Sequence, residues 1–146
     1  MNLYNSYTQK IEELKPIETG KVSMYVCGPT VYNEPHVGNA RPIVVFDTLK
    51  KALELQGLDV MYVSNYTDVD DKIIKTALEQ NVSEKEITDK YIEAYNRVRK
   101  NLHADLPDVA PRVTETMDQI IAFIQKLIEN GAAYQVDGDV YFRVSS

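Results

Sequence analysis

Residues 25–42 read YVCGPTVYNEPHVGNARP and connect an apolar, strand-like segment to the first turn of a helix. The segment 22–26 is rich in β-branched and apolar side chains, as in a buried strand, and a Gly-Pro dipeptide ends it. The residues that follow the turn have the spacing of an amphipathic helix, which Gly57 stops. Residues 58–66 are again strand-like, so the sequence predicts a strand, a crossover helix and a second strand.

A crossover of this length indicates a parallel sheet, and open parallel sheets bind ligands beyond the carboxyl ends of their strands. Helix N-termini at that edge expose backbone N–H groups and a partial positive charge. His36, Gly38 and Asn39 stand at this point of the predicted unit. Gly38 would let a ligand approach the backbone, and His36 and Asn39 can donate hydrogen bonds to phosphate oxygens. The pattern predicts a nucleotide phosphate site, and a loop histidine that only caps the helix is the open alternative.

Two further helices follow the second predicted strand. Residues 69–80 predict a helix with Thr67 or Asp68 as its N-cap, and the capping box of Ser83 with Glu86 begins another helix that runs to about residue 102. The aspartates of this stretch are interpreted as structural, because carboxylates at a helix N-terminus are favoured by the helix dipole without any ligand.

The two ends of the chain differ in pattern. Residues 1–21 read as a polar leading segment that closes with a Thr-Gly turn. Residues 114–130 carry an apolar stripe at helical spacing with Gly131 as the stop, which predicts a helix. Residues 133–136 and 140–144 then predict a hairpin around an Asp-Gly turn.

Composition places the chain among ordinary globular sequences. Its 146 residues are 44% apolar and 26% charged, enough to bury the core of one small domain. No run of about 18 apolar residues predicts a membrane span, the N-terminus has no apolar secretory core, and a cytoplasmic location is expected. A formal charge of −6 argues against a chain that binds nucleic acid by itself. Cys27 is the only cysteine, and in this context alone a small buried apolar residue is typical.

Several motifs of this chain resemble those of class I aminoacyl-tRNA synthetases, and their surroundings resemble the cysteinyl-tRNA synthetases in particular. His36-Val37-Gly38-Asn39 is similar to the His-Ile-Gly-His signature of the class, with an asparagine at the fourth position that also occurs in the family. The other matching stretches are MYVCGPTVY at 24–32 and YVSNYTDVDDKII at 62–74, with shorter agreement at 3–5, 111–113 and 138–142. The resemblance covers essentially the whole chain.

The resemblance implies an α/β fold with a Rossmann-like parallel sheet and flanking helices, incomplete here and ending in a β-hairpin. Residues 1–131 would form the N-terminal half of the catalytic domain, and 132–146 would begin the insertion that interrupts it. The family's proteins are much longer. Their Lys-Met-Ser-Lys-Ser loop, which closes over the triphosphate, and their anticodon-binding region have no counterpart in this sequence. The chain is therefore expected to be a fragment that is inactive alone and self-associates through unpaired edges or apolar patches.

In the full-length enzyme the resemblance implies ATP-dependent activation of cysteine to cysteinyl-adenylate, followed by transfer to the tRNA for cysteine. His36 and Asn39 are implied as the catalytic residues that meet the phosphate charge. The implied ATP-binding residues are Thr30, His36, Gly38 and Asn39. The implied amino-acid contacts are Cys27, Gly28, Thr30 and Thr67.

Cys27 is also implied as a zinc ligand, whose metal takes the substrate thiolate, because zinc prefers soft sulfur donors and a catalytic site keeps one position open. The family's other ligands, a cysteine, a histidine and a glutamate, belong to its later sequence. We therefore expect this chain alone to hold zinc weakly or not at all.

Two other interpretations stay open. A ligase that joins cysteine to an amino sugar, of related fold, would share the zinc cysteine and the adenylate step, although residues 39–42 (NARP) favour a synthetase. A free-standing, non-catalytic nucleotide-binding module is the alternative from a different class. Cysteine-dependent exchange of labelled pyrophosphate into ATP separates an enzyme from that module.

Overall fold

A computed structural model describes residues 1–145 as an α/β structure; Ser146, the last residue of the predicted insertion segment, lies outside it. The strands are β1 (Asn2–Asn5), β2 (Lys10–Glu13), β3 (Lys21–Tyr25), β4 (Asp59–Val63), β5 (Ala133–Val136) and β6 (Asp139–Phe142). The helices are α1 (Val37–Glu54), α2 (Asp71–Gln80), α3 (Glu84–Asn101) and α4 (Met117–Glu129).

The unit β3–α1–β4 is the strand, crossover helix and strand that the sequence predicts. β3 and β4 pair in parallel, in a register that places Lys21 opposite Asp59 and Tyr25 opposite Val63. Beyond β4 the predicted second strand continues only as an isolated parallel bridge between Tyr66 and Arg112, and just past it another such bridge joins Thr67 to Thr30. The carboxyl ends of both strands therefore meet at one edge, beside the start of α1.

The helix α1 buries the face that carries Ile43 and Leu53 against the sheet side of the molecule. Asp47 lies on the same face and is only 8% exposed. Its carboxylate accepts hydrogen bonds from the Asp105 backbone N–H and the Lys51 ammonium, both at 2.8 Å. The buried charge is therefore paired, as burial of a carboxylate requires.

The main core lies between α2, α3 and the residues that leave β3 and β4. Its buried apolar members are Val31, Ile43, Tyr66, Ile73, Ala77, Ile87, Tyr91, Ile92, Ala94, Tyr95 and Ala104. The rings of Tyr66 and Tyr95 meet edge to face at 6.2 Å. Burial raises the pKa of both phenols above the ordinary value.

Arg99 is a cation inside this core, with only 2% of its surface exposed. Its guanidinium donates to the Tyr62 hydroxyl at 3.0 Å and to the Asp105 carbonyl at 2.9 Å. The same group lies 5.6 Å and 5.7 Å from the ring centres of Tyr62 and Tyr95. Within residues 1–145 its Nε is the one buried side-chain polar atom without a hydrogen-bond partner. Aromatic faces and neutral oxygens thus stabilise this charge in place of a carboxylate.

The C-terminal part confirms the predicted helix and hairpin with shorter bounds. α4 runs from Met117 to Glu129 rather than over 114–130, and β5 pairs antiparallel with β6. None of the α4 side chains is buried. Phe123 on α4 is 63% exposed and Phe142 on β6 is 59% exposed. The apolar stripe that predicts this helix is therefore at most partly buried against the rest of the described chain.

Residues 1–21 do not form the plain polar segment that the sequence predicts. β1 and β2 pair as an antiparallel hairpin, with the Asn5 amide donating to Glu12 across it at 3.1 Å. The prediction was wrong because four-residue strands with exposed apolar residues, such as Tyr4 and Ile11, give little alternation to read. The Thr-Gly turn is present, with Gly20 at a φ of 80°.

None of the helices in the described part of the chain has both the length and the apolar character that crossing a membrane requires.

Candidate functional site

The turn between β3 and α1 is held against the end of β4 by backbone hydrogen bonds. The Val26 N–H donates to the Val63 carbonyl at 2.9 Å, which carries the parallel pairing one residue past β3. Farther on, the Thr67 N–H donates to the Pro29 carbonyl at 3.0 Å, and the Thr67 carbonyl accepts from Val31 at 3.2 Å. Cys27, Gly28, Thr30 and Thr67, predicted from two separate motifs, therefore share one edge of the sheet.

Asn65 connects these residues, and the sequence reasoning gave it no role. Its side-chain oxygen accepts from the Gly28 N–H at 2.8 Å and from the Tyr25 hydroxyl at 3.0 Å. Its side-chain nitrogen donates to the Thr67 hydroxyl at 3.2 Å. An amide directly after an apolar strand, opposite a Gly-Pro turn, is the sequence signal that could have identified it.

Gly28 is required by this arrangement. A Cβ at Gly28 would lie 1.6 Å from the Asn65 backbone oxygen, so no other residue fits without moving the two strand ends apart. Because the Gly28 N–H already donates to Asn65, it is not available to a ligand. Any contact of Gly28 with a ligand would use its carbonyl oxygen, because the Asn65 backbone oxygen fills the space of a side chain at Gly28.

Cys27 is exposed and is not paired in a disulfide. Its Sγ lies 3.9 Å from the Gly28 carbonyl oxygen. The burial that is typical of a lone cysteine at a strand end is therefore not observed. Across residues 1–145 no group of three or more histidine, cysteine, aspartate or glutamate side chains is placed to hold a metal ion. The described residues thus offer one accessible thiol at the end of β3, without further candidate metal ligands grouped around it.

His36 and Asn39 form a reciprocal cap at the start of α1. The Gly38 N–H donates to His36 Nδ1 at 3.0 Å, and the His36 N–H donates to the Asn39 side-chain oxygen at 3.0 Å. Because Nδ1 accepts, the neutral imidazole carries its proton on Nε2. Both side chains use their acceptor atoms on the backbone and keep N–H donors for a ligand. Two N–H donors at one helix start favour an anionic ligand with several acceptor oxygens, such as a phosphate.

Gly38 has a steric role that the sequence did not predict. A Cβ at this position would lie 2.7 Å from His36 Cε1 and 2.9 Å from Nδ1. The missing side chain therefore makes room for the imidazole ring itself. The predicted approach of a ligand to the Gly38 backbone remains a prediction.

A cavity of about 230 Å³ opens beside this cap. Residues that line it include Thr30, Tyr32, Glu34, His36, Asn39 and Lys72. It thus brings together three of the predicted ATP-binding residues, whereas Cys27, Gly28, Gly38 and Thr67 do not line it.

Lys72 is a cavity residue that the sequence reasoning missed. It comes from the second residue of α2, and its ammonium lies 5.3 Å from the ring centre of Tyr32. In the part of the chain that the structure describes, Lys72 forms no ion pair with a carboxylate. Its charge adds to the donors of His36 and Asn39, and the carboxylate of Glu34 opposes it at the same wall. The Lys72 charge and the two N–H donors together favour an anionic group on the side of the cavity away from Glu34.

Two of the acidic residues after Thr67, Asp68 and Asp70, accept hydrogen bonds from the chain itself, and the predicted N-cap of α2 was wrong. Asp70 caps α2 by accepting from the Lys72 N–H at 2.9 Å. Asp68 is 5% exposed, and its carboxylate accepts from both the backbone N–H and the hydroxyl of Thr114. This long-range contact removes Asp68 from the cap.

Comparison with known proteins identifies what this arrangement is similar to. The sequence profile of the family described as tRNA synthetases class I (C) catalytic domain matches residues 13–146. Relatives named Cysteine--tRNA ligase include those of Bacillus pumilus and Exiguobacterium sibiricum, each 56% identical over 146 residues. That of Lactococcus lactis is 50% identical over 145 residues. The alignments cover 99–100% of this chain and only 31–32% of those relatives, so the chain spans about a third of their length.

Solved structures share the fold at lower identity. A LeuRS of Agrobacterium radiobacter K84, in a ternary complex with tRNA and LeuAMS, has a TM-score of 0.65 and 20% identity, over 82% of this chain and 16% of the LeuRS. The methionyl-tRNA synthetase of Mycobacterium tuberculosis, in complex with methionyl-adenylate, has a TM-score of 0.66 and 19% identity, over 77% of this chain and 23% of that chain. These matches confirm the α/β, Rossmann-like class of the fold.

Proposed function

Because this chain belongs to the family of class I (C) tRNA synthetase catalytic domains, we propose that it is the N-terminal part of a cysteine–tRNA ligase. The observation that carries the proposal is identity of 50–56% to proteins of that name along essentially the whole chain. The full-length protein would activate cysteine with ATP, release pyrophosphate and transfer the cysteinyl group to the tRNA for cysteine. The substrates and partners of this proposal are therefore cysteine, ATP and that tRNA.

The geometry of the α1 start supports the ATP part of the proposal. In the first step the carboxylate of cysteine attacks the α-phosphate of ATP, and negative charge builds up on the phosphate oxygens. His36 Nε2 and the Asn39 amide are donors held in place by their own caps, and Lys72 adds a positive charge to the same cavity. Donors that are fixed before the reaction stabilise such charge without rearrangement. Thr30 and Gly38 complete the proposed ATP-binding set.

The edge formed by Cys27, Gly28, Thr30 and Thr67 is the proposed amino-acid side of the site. If zinc binds in the full-length protein, Cys27 would be one of its ligands, and the metal would supply a position for the thiolate of the substrate. The accessible Cys27 thiol at the end of β3 fits this role. The remaining ligands would come from sequence beyond this chain.

Two further statements belong to the proposal. Residues 1–131 would form the N-terminal half of the nucleotide-binding domain, and 132–146, which hold the β5–β6 hairpin, would begin its insertion. The cytoplasm is the proposed location, because the charging of tRNA serves ribosomes there.

The test is the cysteine-dependent exchange of labelled pyrophosphate into ATP by the full-length protein. We expect exchange with the unaltered protein. His36→Ala should slow it about a hundredfold, as expected for the loss of one fixed donor, while the affinity for cysteine changes little. His103→Ala is the matched control, because the only other histidine is exposed just past α3 and should leave exchange unchanged. Equal losses of exchange rate and cysteine affinity in His36→Ala would contradict the assigned role.

A further inference from the structure

Asn65 is the point at which the two strand ends of the proposed amino-acid site are joined. Its three side-chain hydrogen bonds, to Gly28, Tyr25 and Thr67, use both ends of the amide. Tyr25 and Gly28 belong to the end of β3, and Thr67 follows β4. No other side chain in the described residues connects these groups by hydrogen bonds.

The consequence for Thr67 is a defined hydroxyl orientation. Its backbone N–H and carbonyl are both occupied by the bridge to the Pro29–Val31 turn. Its Oγ1 accepts a hydrogen bond from the Asn65 amide nitrogen. The hydroxyl hydrogen of Thr67 is then its one donor that can still form a hydrogen bond with a ligand. Within residues 1–145 it donates to no acceptor, so it would select an acceptor atom of a ligand.

The consequence for Gly28 is a fixed backbone beside Cys27. The Asn65 amide oxygen holds the Gly28 N–H, while the Asn65 backbone oxygen occupies the space of a Cβ at Gly28. The turn that carries Cys27 therefore cannot shift relative to Thr67 without breaking the contacts of one side chain. Positions that hold a reacting group must be fixed to within a fraction of an ångström for full activity.

We propose that Asn65 is a positioning residue for the amino-acid substrate: its amide orients the Thr67 hydroxyl as a donor and fixes the turn of Gly28 and Cys27. Asn65 itself need not touch the substrate. The inference rests on the proposed function, because it assigns Asn65 to the amino-acid side of that site. It predicts that changes at Asn65 affect cysteine and leave ATP unaffected.

Asn65→Asp in the full-length protein is the most specific test, because it removes only the hydrogen bond that Asn65 donates to Thr67. A carboxylate has nearly the same shape and still accepts from the Gly28 N–H and the Tyr25 hydroxyl, so the fold is retained. It cannot donate to Thr67, and the Thr67 hydroxyl would instead donate to it, which turns the hydrogen away from the ligand. We expect the KM for cysteine in pyrophosphate exchange to rise about tenfold or more, as for one lost hydrogen bond. The KM for ATP should stay unchanged.

A double-mutant cycle separates positioning from a general structural role. Thr67→Val removes the hydroxyl, so in its presence Asn65→Asp should add little further loss of cysteine affinity. Asn101→Asp, at the exposed end of α3, is the control for the added negative charge and should leave both KM values unchanged.

Several results would overturn the proposal. Effects of Asn65→Asp and Thr67→Val that simply add would show that Asn65 does not act through Thr67. A parallel rise of the KM for ATP and cysteine, or a loss of folding in Asn65→Asp, would assign Asn65 to stability alone. If the unaltered full-length protein showed no cysteine-dependent exchange, the proposed function would fail first, which is a different and separately visible outcome.

Discussion

At the scale of single residues, the start of α1 is capped by two side chains that use only their acceptor atoms in hydrogen bonds. His36 and Asn39 satisfy backbone N–H groups through their acceptor atoms and keep their donors. The sequence predicts donors at these positions, because both residue types can donate. It could not predict that Gly38 gives room to the His36 ring, because that depends on the rotamer of His36 in the folded chain.

Gly38→Ala in the full-length protein should reduce pyrophosphate exchange about a hundredfold, through displacement of the imidazole by roughly 1 Å. Its stability should change little. Alanine is favoured over glycine inside a helix by about 1 kcal/mol, and this offsets the loss of a cap contact of about the same size. Exchange kinetics and thermal unfolding of the same preparation check both statements.

His36→Ala provides the control for that variant. If the added methyl acts by pushing the ring, Gly38→Ala should have no further effect in a protein that already lacks the imidazole. A full additional loss in the double variant would show that Gly38 contacts the ligand directly.

At the scale of elements, the sequence predicted helix starts that depend on neighbouring residues, and it failed where a contact with a distant residue decides the start. The capping box of Ser83 with Glu86 begins α3 as predicted, because both partners lie within one turn. The start of α2 was misplaced because Asp68, a good N-cap by type, is held by Thr114 from a distant loop. The hydrogen bonds of Asn65 escaped prediction for the same reason, since its partners Gly28 and Tyr25 lie 37 and 40 residues away along the chain.

The ion pair between α3 and the following loop gives a prediction on acid stability. Hydrogen bonds from Lys85 and from Arg112, the latter at 2.7 Å, lower the pKa of the Asp89 carboxyl below its ordinary value. A carboxyl with a lowered folded-state pKa stabilises the protein above its unfolded pKa of about 3.9, and that contribution disappears as the pH falls through the folded value.

Asp89→Asn should therefore lower the melting temperature at neutral pH, by an amount that corresponds to less than about 1 kcal/mol because the pair is partly exposed. The difference from the unaltered protein should shrink toward zero below about pH 4, where the carboxyl of the unfolded chain is protonated. Melting curves across this range, with Glu93→Gln on the same helix as a control, check it. A difference that stays constant with pH would mean that the effect is not electrostatic.

At the scale of the whole molecule, the chain is one part of a larger arrangement in its relatives. It covers about a third of their length, and it leaves β3 paired on one side only within the described residues. Several apolar side chains of α4 and the hairpin are also exposed. The resemblance to longer proteins led us to expect unpaired edges or apolar patches, but the sequence could not tell which side chains are exposed, because periodicity predicts an apolar face and does not tell what covers it.

The 146-residue chain by itself should self-associate through these surfaces. Sedimentation velocity should show an average mass that rises with concentration. Replacing Ile121 and Phe123 of α4 with lysine should reduce the association, because charged side chains oppose contact between apolar faces. A clean monomer at high concentration would contradict this expectation.

Zinc content distinguishes the isolated chain from the full-length protein. Elemental analysis of the 146-residue chain should find far less than one zinc ion per chain, since Cys27 is a single ligand. The full-length protein should hold zinc, and Cys27→Ser should release it. Stoichiometric zinc in the 146-residue chain would show that residues other than those assigned complete the site.

Tyr66 and Tyr95, whose rings meet in the core, make the fold less stable in strongly alkaline solution, because burial raises the pKa of both phenols. A phenol with a raised folded-state pKa has no influence on stability below its unfolded value of about 10, and it favours unfolding once the solution is more alkaline than that. Tyr66 and Tyr95 would ionise together as the core opens, which ultraviolet absorbance of phenolate would show as a steep rise in alkaline solution.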